Sequence, residues 1–241
     1  MPAGTSISQA YPDRVDVRGR DLTSDLMGRM SFTEYFHLLL TGEEPTEAQR
    51  YFLDVLLVSI AEHGLMPTNV AARMTFAADP GSLQGAVAAG ILGCGPVILG
   101  TSEECARLLA SGREPLEVVR ELHESGEKVP GFGHPVHTPL DPRAERILEL
   151  ADERGVSGEH VQRAQAFRDA VYEVWGNPLT MNVSMPIAAV MLDLGFPTAA
   201  VKAVPILART ASLLAHLVEE QERPLGLELA AAAEEAVTYE R

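Results

Sequence analysis

Strict alternation of apolar and polar residues hardly occurs in this chain. Its clearest instance, Val15-Asp16-Val17-Arg18, is too short to found a sheet, while apolar residues recur at helical spacing through most of the remainder. The expectation is an all-α fold of about ten helices.

Local signals place several of them. Thr46 and Gln49 have the spacing of a capping box, and Phe52 to Ile60 is apolar nearly all round, which suits a helix in the middle of the fold. Residues 84–95 are so rich in Gly and Ala that a helix there lets a neighbouring backbone come close, within the chain or across a subunit boundary. Thr101 and Glu104 offer a second capping box, and Asp141-Pro142 reads as N-cap and first helical residue. A helix is expected over roughly 158–175, ended by Gly176-Asn177-Pro178. Another starts at Ser184, and a long one runs from Pro197 to about Gln221 with a bend at Pro205.

With 34 acidic against 19 basic residues the formal charge is −15, which disfavours nucleic acid and anionic lipid as partners. No stretch approaches about 18 uninterrupted apolar residues, and the N-terminal segment lacks a basic flank leading into an apolar block. A cytoplasmic protein is expected. Cys94 and Cys105 supply neither a disulfide framework nor a zinc-ligand set, and the histidines show no metal-ligand spacing. Two buried thiols and no metal are expected.

The least ordinary stretch is Lys128 to Glu145, KVPGFGHPVHTPLDPRAE, a loop leading directly into a helix. Gly131 and Gly133 let a backbone approach a ligand while His134 is presented between tight turns. Arg143 falls in the first helical turn, where a positive side chain opposes the helix dipole unless an anion compensates it. That hints at a carboxylate or phosphate ligand. A Gly-Pro turn carrying a surface histidine is the plain alternative.

Val129-Pro130-Gly131-Phe132-Gly133-His134, followed by Asp141-Pro142-Arg143-Ala144, resembles the signature loop of the citrate synthase superfamily. Further matches lie in the same order at residues 17–22, 31–46, 61–64 and 208–224, so the likeness spans nearly the whole chain. In length the chain is closer to the short citryl-CoA lyase type and to the lyase module of ATP-citrate lyase. The resemblance implies an all-α, citrate synthase-like fold with a large helical lobe (1–111 and 179–241) and a smaller one (112–178). It also implies an intertwined homodimer, with a dimer of dimers left open.

Carried over position by position, the resemblance implies that His134 is catalytic and donates to the oxygen at the carbon where the bond is made or broken. His63, Arg143, Arg209 and Arg223 would contact the keto-acid, Arg223 from the partner subunit. Lys128, Val129, Pro130, Gly131, Phe132 and Gly133 would hold coenzyme A, a thioester substrate rather than a bound cofactor. The alternatives are a helix-terminal His63 bonded to carbonyls and an internal salt bridge at Arg209. His37, His123, His137, His160 and His216 match no site role.

The chain departs from the pattern twice. Ile98 stands where condensing enzymes place a histidine, and Ser184, whose plain role is a helix N-cap, stands where they place an aspartate. Losing one such group costs about 10²–10⁴ in rate, so citrate synthesis is expected to be very slow. Retro-aldol cleavage of a 3-hydroxy-3-carboxyacyl-CoA, or the reverse, is the leading expectation, with His134 as the base at the tertiary hydroxyl. A weakened CoA- or carboxylate-binding accessory protein, or the same fold acting on another acyl-CoA, are the alternatives.

Overall fold

The computed structural model describes residues 4–240. A small antiparallel sheet comes first: β1 (Ser8–Ala10), β2 (Val15–Val17) and β3 (Arg20–Asp21), in that order. The expectation that Val15–Arg18 is too short to found a sheet is therefore corrected. Arg18 and Gly19, both at positive φ, turn the chain so that Val17 pairs with Ser8 on one side and Arg20 on the other. Val17 alone among the strand residues is buried, against Leu26 and Leu38. One inward side chain leaves almost no alternation to read.

A π-helical turn, Leu22–Leu26, follows, its first amides accepted by the Asp21 carboxylate. The helices are α1 (Phe32–Thr41), α2 (Glu47–Ala61), α3 (Pro67–Ala78), α4 (Leu83–Leu92), α5 (Thr101–Ala110), α6 (Pro115–Ser125), α7 (Pro142–Glu153) and α8 (Glu159–Trp175). They continue with α9 (Ser184–Asp193), α10 (Thr198–Val201), α11 (Ala203–Glu222) and α12 (Gly226–Glu235). The expected all-α architecture is observed, with somewhat more helices than anticipated.

The Thr46–Gln49 capping box forms in both directions. Thr101 and Glu104 do not form theirs: Gly100 takes the cap position, and the Thr101 hydroxyl donates to the Pro96 carbonyl. Nor does Ser184 act as an N-cap. It is already helical, and its N–H donates to the Asn182 side-chain oxygen at 3.1 Å. The Pro205 bend becomes a break at Lys202, between α10 and α11, because Pro205 has no N–H for the Val201 carbonyl.

At the centre lies α9, buried from Ser184 to Met191 and packed on α5, α7 and α8. The apolar α2 was expected in that place, but it buries only Phe52, Leu53, Leu56 and Ile60 and leaves Val58 79% exposed. One continuous core joins these helices, drawing on residues from Phe52 through Val118 and Phe167 to Ala208.

The Gly/Ala-rich α4 does admit a close neighbour: a Cβ on Gly90 would lie 2.6 Å from Leu213 and 2.9 Å from the Thr68 carbonyl. The span Thr198–Glu222 is long and apolar enough to cross a membrane by composition. Here α11 packs on α2, α3 and α4, with Arg209 and Glu220 buried and partnered inside the chain.

Candidate active site

The 128–141 loop is clamped between α5 and α9. Phe132 bridges to Met181, the Gly133 N–H donates to the Thr180 carbonyl at 2.7 Å, and the Asn182 N–H donates to the Gly131 carbonyl at 2.8 Å. The Asn182 amide donates in addition to the Gly133 carbonyl. Gly131 sits at φ 82°, and a Cβ there would meet Cys105 Sγ at 2.8 Å and Met185 Cβ at 2.9 Å. Val129 and Phe132 are buried and Lys128 is exposed. Three backbone groups expected to be open to a coenzyme, the Gly133 N–H and the Gly131 and Gly133 carbonyls, are thus bonded to residues 180–182.

The same clamp orients His134. Its Nδ1 accepts the N–H groups of Val136 at 3.1 Å and His137 at 2.8 Å. A backbone N–H can only donate, so Nδ1 carries the lone pair and the neutral ring holds its proton on Nε2. Burial and the neighbouring His137 hold its pKa below the usual histidine range. His134 is therefore built to donate through Nε2. The expectation that it serves as the base at a hydroxyl does not fit this tautomer.

Around it the chain gathers two more imidazoles. The His63 ring lies 5.0 Å from that of His134, edge to face, and its Nε2 is 3.0 Å from His137 Nε2. His137 stacks on His134 with centroids 4.5 Å apart. Burial first, and then the positive Arg143, lower the His63 pKa. One nitrogen from each ring falls within 4.8 Å of the others. Ligation of a cation through His134 Nε2 would force a proton onto Nδ1 against two backbone donors, so the trio is not a ready three-nitrogen metal set.

Arg143 reaches the same place, with one terminal nitrogen 3.4 Å from His134 Nε2. Asp141 already compensates it at the α7 N-terminus, so the placement by itself does not call for a ligand. Arg143 Nε and a terminal nitrogen donate to the two Asp141 oxygens at 3.0 and 2.8 Å. Burial would raise the Asp141 pKa, but the hydrogen bonds and charge of Arg143 hold it below the usual range.

Arg209 is 2% exposed on α11. A terminal nitrogen donates to Asn69 at 2.8 Å and lies 3.9 Å from Glu62, while its Nε is buried without a hydrogen-bond partner among the described residues. Both alternatives read from the sequence bear on it: an internal ion pair exists, and a donor remains unused. Arg223 stands apart, exposed at the C-terminus of α11.

Ile98 is half-buried in the turn before α5, and Ser184 is buried beside the Asp141-capped Val183 N–H. Cys105 is buried and Cys94 half-buried. Of the histidines given no role, only His137 lies in the cluster. His37 bonds the Glu43 carbonyl, His123 packs on Trp175, His160 pairs with Asp193, and His216 joins Arg73 to Glu62. The signal that could have found His137 is its place three residues after His134, where the turn at Pro135 folds its N–H back onto the ring.

The sequence profile of the citrate synthase C-terminal domain matches residues 7–226. This chain belongs to the citrate synthase family. It is 29% identical to citrate synthase of Haloferax volcanii over 196 residues, covering 78% of this chain and 51% of that one. The chain spans about half the length of the curated relatives it matches.

Among solved structures, citryl-CoA lyase from Hydrogenobacter thermophilus superposes with a TM-score of 0.82 at 33% identity, over 90% of this chain and 86% of that one. ATP citrate lyase from Methanothrix soehngenii, at 21% identity, shares the fold with a TM-score of 0.84 over 100% of this chain and 42% of its own.

Proposed function

We propose that this chain is a citryl-CoA lyase-like enzyme that cleaves a 3-hydroxy-3-carboxyacyl-CoA to an acyl-CoA and a 2-oxo acid such as oxaloacetate, or runs the reverse. The observation that carries this reading is the superposition on a citryl-CoA lyase with a TM-score of 0.82 at 33% identity over 90% of this chain.

The cluster has the chemistry such a substrate needs. Arg143 and Arg209 offer guanidinium donors to its carboxylates, and a carboxylate oxygen would satisfy the orphaned Arg209 Nε. His134 Nε2–H donates to the oxygen at the carbon that becomes the ketone, and His63 contacts the keto-acid half. Lys128 and the 129–133 loop border the thioester as a substrate, with no tightly bound cofactor and no metal required. The smaller lobe is 112–178, and Arg223 reaches the site of the partner subunit in a homodimer. The cytoplasm is its proposed location.

Cleavage requires a proton to leave the tertiary hydroxyl as the carbon–carbon bond breaks, with the electron pair passing into the thioester enolate. Ile98 can neither donate nor accept a proton, and Ser184 has no activating base among its hydrogen-bond partners. In either direction the thioester enolate must then be stabilised and protonated by other groups.

The departure at Ile98 and Ser184 also motivates a second reading, a CoA- or carboxylate-binding accessory protein without turnover. Incubation with citryl-CoA, with oxaloacetate followed by a coupled dehydrogenase, separates the two. Release above the protein-free rate supports the lyase. Saturable binding by calorimetry without release from a panel of acyl-CoAs supports the accessory protein.

A further inference from the structure

We infer that Glu62 is a positioning residue for Arg209: acting through the Asn69 amide, it aims the guanidinium so that the buried, unused Nε meets a substrate carboxylate. The identity of that ligand rests on the lyase reading. Arg209 does not bond Glu62 directly, since its nearest terminal nitrogen stands 3.9 Å away. The fully buried Asn69 amide on α3 joins them. Its Oδ1 accepts from Arg209 at 2.8 Å, and its Nδ2 donates to Glu62 Oε1 at 3.2 Å.

Only one orientation of that amide serves the arginine. An asparagine can turn its oxygen or its nitrogen toward a neighbour, but a guanidinium only donates, so Oδ1 must face it. Thr68 and Ser212 also touch the amide, at 3.0 and 3.4 Å. A hydroxyl both donates and accepts, so these two adapt to either orientation. A carboxylate only accepts. Glu62 is therefore the partner that keeps Nδ2 on its own side and Oδ1 on the side of Arg209. Without it the amide can turn N–H groups toward a buried cation, and the guanidinium loses its acceptor.

Glu62 is itself held from α11 and from the turn that follows α2. Its Oε1 accepts from Ser212 and from His216 Nε2, the latter at 2.9 Å, and its Oε2 accepts the Gly64 N–H at 3.3 Å. His216 donates there because its Nδ1 accepts from Arg73, which pairs in turn with Glu220 at 2.7 Å. Each link from Glu220 to Arg209 thus has its donor and acceptor fixed. The Glu62 side chain is 51% exposed, so water screens its charge, and it governs Arg209 by direction rather than by attraction. A buried Nε cannot turn to follow a ligand, so this direction decides whether the carboxylate is met.

The test is the Kd of oxaloacetate by calorimetry for wild type, E62A, E62Q, N69A and E62A/N69A, with thermal unfolding of each and steady-state cleavage of citryl-CoA. Removing a negative charge beside Arg209 should, by Coulomb attraction alone, tighten the binding of an anion in both E62A and E62Q. Positioning predicts otherwise. E62A should raise Kd and KM by about 10–100-fold, the worth of one hydrogen bond to a charged group, with kcat within about threefold. E62Q keeps an acceptor oxygen, fixed by the His216 donor, and should bind within about threefold of wild type. E62A/N69A should bind no more weakly than N69A alone, because Glu62 acts through Asn69. If E62A unfolds, N69A carries the test with the same rise in Kd. A folded E62A, or N69A in its place, that binds oxaloacetate as tightly as wild type or more tightly overturns the inference. So does E62Q as weak as E62A, which assigns the effect to charge, or an additive loss in the double variant. Wild type that binds oxaloacetate without cleaving citryl-CoA ends the lyase reading, and the Kd series still decides the role of Glu62. Wild type that binds no oxaloacetate overturns both.

Discussion

Asp141, fully buried, grips Arg143 by both carboxylate oxygens while also accepting the Arg143 N–H at the first turn of α7. One residue thus caps a helix, aims a guanidinium at His134 and ties the loop to α9 through the Val183 N–H at 3.2 Å. Replacing it by asparagine removes the charge and keeps the size. Asp141→Asn should cost about 2–4 kcal/mol in urea unfolding, because a partly buried guanidinium loses its counter-ion. A loss below about 0.5 kcal/mol would show that the pair is not needed by the fold.

Stability should fall with acid in two pH windows. His63 and His134 have pKa values below the ordinary histidine range, so the unfolded chain binds more protons than the folded one as pH falls below about 6.5. Their contribution is full above that pH and is lost as pH falls through the folded values. Asp141, Glu62 and Glu220 also lie below their ordinary values, each despite burial, through Arg143, through Ser212 and His216, and through Arg73 respectively. Their contribution is full above about pH 4.3 and is lost below it. Urea midpoints measured from pH 8 to 3 should fall in both windows, and a flat profile from pH 7 to 5 would contradict the half-buried, neutral imidazoles.

Arg209 offers a binding test that is independent of turnover. A ligand at 100 times its Kd stabilises a folded protein by about 2.7 kcal/mol. Oxaloacetate should raise the Tm of wild type and leave Arg209→Met unshifted. An equal shift in both would place the carboxylate elsewhere.

Gly131→Ala tests the seating of the loop. The new methyl meets Cys105 and Met185 below 3 Å and forces an alanine to φ 82°. A destabilisation of about 1–3 kcal/mol is expected, measured by thermal unfolding. The neighbouring Gly133, also at positive φ but with nothing within 4 Å of an added Cβ, should be the milder site.

Much of this was legible in the residues because helix signals are local. The Thr46 box, the Asp141 cap and the stop at Gly176 each depend on neighbours within a few positions. The sheet around Val17 was not, because its pairing needs a turn at Arg18-Gly19 and burial by Leu38. Helical periodicity also could not rank α2 against α9, since both are apolar and only the packing of α5, α7 and α8 decides which is covered. At the candidate site, motif spacing pointed to His134, Arg143 and Arg209, but the tautomer of His134, the Asp141 counter-ion and the approach of His137 to His63 are facts of three dimensions.

The most direct measurement is a structure of the protein with oxaloacetate and a non-cleavable acyl-CoA analogue bound. The account predicts the keto oxygen within about 3.2 Å of His134 Nε2, and carboxylates in hydrogen-bond contact with Arg143 and the Arg209 Nε. An oxaloacetate bound away from all three side chains, with the His63–His134–His137 cluster left as it is without ligand, would contradict it.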